Sequence, residues 1–95
     1  MNIEELHDEL VETVASLMSS GFDKVDAETI EKLHKYAAAA EELDLKEGKK
    51  LINNLSDTIK AIHEGRSHAD SGNLRLTALD FYLKKYPADG TVEDL

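Results

Sequence analysis

The 95-residue chain contains no cysteine and a single proline, Pro87. Without cysteine there can be no disulfide, no thiol nucleophile and no thiolate zinc site. A small domain lacking such staples suits a reducing compartment. Long apolar runs are missing too: nothing approaches the eighteen or so residues of a membrane span. The first residues, "MNIEELHDEL", turn acidic at the fourth position and do not read as a secretory signal. A cytoplasmic location is the resulting expectation. Glycine-rich phosphate loops are also lacking, since "EGKK" has neither the first glycine nor the Ser/Thr of a P-loop.

Basic residues are scarce in the first third. Residues 1–31 hold nine acids and one lysine, a balance of −8 out of the chain's −9. Such a surface repels phosphate backbones and anionic lipids, which argues against nucleic-acid or membrane partners. It serves either as a solvated, solubilising face or as a face that meets a basic partner.

Apolar residues at helical spacing divide the remainder. Ile3, Leu6, Leu10, Val14 and Leu17 form a seam over Ile3–Ser19, widened by Val11 and Met18, with Ser20-Gly21 as the stop. A second helix begins after Asp26, whose carboxylate can cap it, with Glu28 in the first turn. Its inward stripe is Ile30, Leu33, Ala37 and Ala40, edged by Tyr36. "DLKE" has the form of a capping box and predicts a break near Asp44. A third helix over Leu45–Glu64 then buries Leu51, Leu55, Ile59 and Ile62, flanked by Ile52 and closed by Gly65. "RSHADSGN" reads as a polar connection to a short fourth helix, "LRLTALDFYLKKY", ended by Pro87. The chain is short enough for one domain. The expectation is an all-α, antiparallel four-helix bundle over residues 1–86, with an acidic tail at 87–95. A three-helix bundle with a short appended fourth helix is the variant.

Two Glu-x-x-His pairs, Glu4–His7 and Glu31–His34, match the spacing used in dimetal bundles. Glu31 falls almost opposite the stripe of Leu33 and Ala37, however. The third and fourth helices offer no inward glutamate, so neither a metal nor a cofactor is expected. His63 and His68 flank the third connection and read as solvated.

"LHKYAAAAEEL" resembles the phosphoacceptor helix of histidine-phosphotransfer domains. These are helical bundles of similar size, in which small residues after the histidine admit a response regulator. The resemblance implies His34 as the phosphoacceptor and a signalling role. Their His-x-x-Lys-Gly pattern is replaced here by Ala37 and Ala38, Lys35 points elsewhere on the helix, and acidic Glu31 lies one turn back. "SGNLRLTALDFYLKKYP" is similar to the last helices of clamp-loader collar domains, although the apolar spacing is shifted after Leu76. That similarity implies assembly through helices, without chemistry.

The fourth helix carries apolar residues around more than half its circumference, beyond what one buried face requires. It is either enclosed by the other three or exposes a patch to a partner. The leading expectation is a non-catalytic protein that binds protein, including itself as a homo-oligomer. The contact residues read from the sequence are Leu76, Phe81, Tyr82 and Leu83, together with the bare strip at Ala38 and Ala39. Leu83→Glu is expected to weaken association more than a change at His34.

Overall fold

The computed structural model describes residues 1–22 and 25–85. It contains four helices: α1 (Ile3–Ser20), α2 (Ala27–Glu42), α3 (Lys46–His63) and α4 (Ala69–Lys85). The tail read at 87–95, and Pro87 as a helix stop, lie outside the described residues. Each helix packs on its sequence neighbours, and α1 closes the ring against α4. Contacts between opposite ends fix the directions. His7, early in α1, meets Leu83, late in α4. Lys49 at the start of α3 pairs with Glu41 at the end of α2, 3.1 Å away. The protein is an all-α, antiparallel four-helix bundle.

Local chemistry sets the helix starts. Asn2 caps α1 through a reciprocal box with Glu5, its Oδ1 accepting from Glu5 N–H at 2.8 Å. Asp26 caps α2, accepting from Thr29 N–H at 3.0 Å. The stops need residues that tolerate a left-handed backbone. Gly65 takes φ 75° after α3, and Arg66 N–H reaches back to Ala61 C=O at 2.8 Å. Asp44 takes φ 59° after α2, and Leu45 N–H reaches back to Ala40 C=O at 2.8 Å.

The break near Asp44 therefore has a different cause from the predicted capping box. Leu45, not Asp44, precedes α3, and no side chain caps that helix. Asp44 is spent on terminating α2 in the left-handed region, which short polar side chains tolerate.

One continuous core runs through the bundle. Leu33, Ala40, Ile52, Leu55, Ile59 and Leu79 are wholly enclosed, with Leu6, Leu10, Val14, Leu17 and Leu76 nearly so. Each such Leu or Ile contributes about 1.5–3 kcal/mol through burial. The inward face of α3 is rotated from the predicted stripe. Ile52 and Ser56 are buried, while Leu51 and Ile62 are only partly covered.

Helix α4 starts five residues earlier than the sequence suggests, so "ADSGN" is helix and not connection. Gly72 lies in this first turn. It is buried beneath Phe22 and Ile62, and a Cβ built on it would lie 2.8 Å from the Phe22 ring and 2.9 Å from Ile62 Cδ1. The first turn of α4 thus docks closely against Phe22 and Ile62, and a side chain at position 72 would require their tips to shift.

Candidate functional site

The outer surface of α4 is built from a row of residues opposite its buried side. Gly72, Leu76, Leu79 and Leu83 face the core. At 100° per residue, Asp70, Leu74, Thr77, Ala78, Phe81 and Lys85 fall on the other side of the helix, within roughly a 100° arc. Leu74 is 66% exposed and Phe81 70% exposed, the two largest values for large apolar residues among the described residues. Seven residues apart, they stand on one line two turns from each other. Partly buried Ala78 lies between them. Lys84, on the flank of the row, pairs with Asp80 at 3.0 Å.

The contact residues read from the sequence divide accordingly. Phe81 is on the surface. Leu76, Leu83 and Tyr82 are not: they are 2%, 5% and 9% exposed, inside the chain's own core. One line of α4 is therefore enclosed, by α3 and α1, and the opposite line is exposed. Leu83→Glu would bury a charge, so it tests folding rather than association. Leu74, which the sequence reading assigned to a broad apolar surface without singling it out, belongs with Phe81. The strip at Ala38 and Ala39 splits as well. Ala38 is exposed, whereas Ala39 is buried.

His34 lies on the seam between α2 and α3. Its Nε2 is 3.1 Å from the Ser56 hydroxyl and 3.5 Å from Lys60 Nζ. An ammonium only donates, so a neutral His34 ring that meets Lys60 accepts at Nε2. Ser56 is 1% exposed, so His34, itself an exposed residue, is the partner of a buried hydroxyl. Two other histidines also bridge elements. His7 Nε2–H donates to Leu83 C=O at 3.0 Å, and His63 Nε2–H donates to Phe22 C=O at 3.1 Å. His7 Nδ1 is buried without a hydrogen-bond partner, 3.9 Å from Asp8 Oδ1. The glutamates of the two Glu-x-x-His pairs, Glu4 and Glu31, are exposed. Among the described residues, no three or more His, Asp or Glu side chains converge as a metal site.

A cleft of about 210 Å³ separates α1 from α2. Glu9, Glu12, Thr13, Ser16, Thr29 and Lys32 line it, and Tyr36 Oη donates across it to Glu9 at 3.3 Å. It is smaller than the ~300 Å³ from which small-molecule sites usually begin. Among the described residues no helix is long and apolar enough to cross a membrane.

No protein-family model matches the chain, and no curated protein or solved structure is significantly similar to it.

Proposed function

We propose that this protein works by binding protein, a second copy of itself included, and that it carries out no chemistry. The outer row of α4 is the contact surface. The observation that carries this reading is the pair Leu74 and Phe81, exposed on one line of a helix whose opposite side already fills the core. A helix that needed only to complete the bundle would be polar there. Assembly through helices is also what the collar-domain similarity implies. The expected location remains cytoplasmic, and nucleic acid and membrane are not expected partners.

Sedimentation over a wide concentration range tests the reading. The wild type is expected to gain mass with concentration, and Phe81→Glu to stay monomeric with an unchanged helical spectrum. A wild type that is monomeric at millimolar concentration would overturn its self-association part.

One observation favours a second reading, phosphoryl acceptance by His34. Lys60 supplies from α3 the positive group that α2 lacks, 3.5 Å from Nε2, and a cation there would offset phosphate charge. In that step a ring nitrogen forms the N–P bond as the donor's P–O bond breaks. Nε2 is hydrogen-bonded to buried Ser56, however, so modification at that atom would break that bond. Self-association requires no rearrangement and is preferred. A phosphodonor such as acetyl phosphate should give an acid-labile adduct, lost in His34→Gln, if the second reading holds.

A further inference from the structure

We infer that two copies pair through α4 in antiparallel register, position i of one helix beside position 155 − i of the other. This inference rests on the self-association reading and adds the geometry of the partner surface.

The outer row of α4 has a sense. From its N-terminal end it runs acid, leucine, small residues, phenylalanine, base: Asp70, Leu74, Thr77 and Ala78, Phe81, Lys85. Asp70 is in the acidic first turn, and Lys84 and Lys85 form the basic last turn. Rotating a second copy by 180° about the middle of the row makes it match itself. Leu74 then meets the second copy's Phe81, and Phe81 its Leu74. Thr77 and Ala78 lie at the axis, where small side chains let two helices approach to about 8 Å. Each acidic end faces a basic end, and the helix dipoles oppose each other.

A parallel arrangement would instead set acid against acid and base against base. The antiparallel match depends on the sign of charge at each end, not on the lysines being unengaged. Such pairing is self-complementary and closed, so it stops at two copies.

The size of the surface sets the strength. Two large apolar side chains per copy fall well short of the ~800 Å² per partner of a stable interface. The dimer is therefore weak and exchanges readily.

A chain without cysteine is suited to the test, because single cysteines report proximity by disulfide cross-linking. The variants are Thr77→Cys, Asp70→Cys, Lys85→Cys and, as an exposed control on α2, Glu31→Cys. In the antiparallel register, the two copies of residue 77 lie near the axis. The two copies of residue 70 stand about 22 Å apart along the helices, at 1.5 Å per residue. Under mild oxidation, Thr77→Cys is expected to link at least tenfold faster than Asp70→Cys or Glu31→Cys. A mixture of Asp70→Cys and Lys85→Cys is expected to link as a heterodimer at a comparable rate. Fast linking of Asp70→Cys alone would overturn the register and leave self-association standing. Linking of every variant at the control rate, in a protein that sediments as a dimer, would also overturn the register. Control-rate linking with a monomeric wild type would overturn both.

Discussion

Phe22 occupies the space that Gly72 leaves open. A Cβ on Gly72 would come within 2.8 Å of Cε2 and Cζ of that ring. The contact joins the residue that follows the C-cap of α1 to the first turn of α4.

Replacing Gly72 by alanine separates two opposing effects. Alanine favours a helix over glycine by about 1 kcal/mol, while overpacking costs about 1–3 kcal/mol. Gly72→Ala is expected to destabilise on balance, by about 1 kcal/mol. Phe22→Leu should recover part of that loss, because it removes the atoms the new Cβ meets. Urea unfolding of the single and double variants checks this. A Gly72→Ala protein more stable than wild type would show that the ring moves aside without cost.

The hydrogen bond between His34 and Ser56 predicts unequal losses. His34→Ala strands a buried hydroxyl, at about 1–3 kcal/mol. Ser56→Ala removes that hydroxyl and leaves the exposed imidazole to water, so it should cost no more than about 1 kcal/mol. The double variant should be more stable than the sum of the two losses implies. Strict additivity in a double-mutant cycle would mean that the two side chains are not coupled.

Ring tautomers distinguish the bridging histidines. At neutral pH, His7 and His63 should carry the proton on Nε2, since each faces a carbonyl oxygen that only accepts. His34 should carry it on Nδ1, because its Nε2 faces Lys60 and Ser56. Long-range proton–nitrogen NMR correlations of the three rings read this directly. Finding all three in one tautomer would contradict the assignment.

Asp26 gives the cap of α2 a dependence on pH. The backbone N–H of Thr29, followed by its hydroxyl, holds the Asp26 carboxyl below its ordinary 3.8. A lowered native value favours the ionised form in the fold. The associated stability is complete above the unfolded carboxylate value and is lost as pH falls through the native one. Asp26→Ala should therefore melt below wild type at pH 7, with the gap narrowing below about pH 4. Asp26→Asn keeps a cap oxygen and should show a smaller deficit at pH 7. A gap that is equal at pH 7 and pH 2 would remove ionisation from the account.

The first three helices were legible in the sequence because their boundaries are local. Asp26 caps through a residue three positions away, and Gly65 ends α3 through its own backbone angle. The apolar seam of α1 had its period written into Leu6, Leu10, Val14 and Leu17, all of which are buried. Asp44 marked a real break, but its mechanism was hidden: a carboxylate before "LKE" reads as a cap until the backbone angle is known.

Helix α4 was decided by tertiary structure. Its first turn contains Ser71-Gly72, a pair that local propensity assigns to a loop, whereas the close approach of Phe22 and Ile62 to Gly72 comes from tertiary packing. Its apolar residues surround the helix, so periodicity alone could not say which line faces inward. Packing against α3 and α1 chose Gly72, Leu76, Leu79 and Leu83 and left Leu74 and Phe81 outside. His34 followed the same logic. The sequence placed it at the edge of a stripe, and the approach of Ser56 and Lys60 from another helix determined what its ring nitrogen does. Local hydrogen bonds and repeating apolar spacing are properties of the chain, whereas the inward line of a helix with apolar residues around more than half its circumference depends on which neighbours reach it.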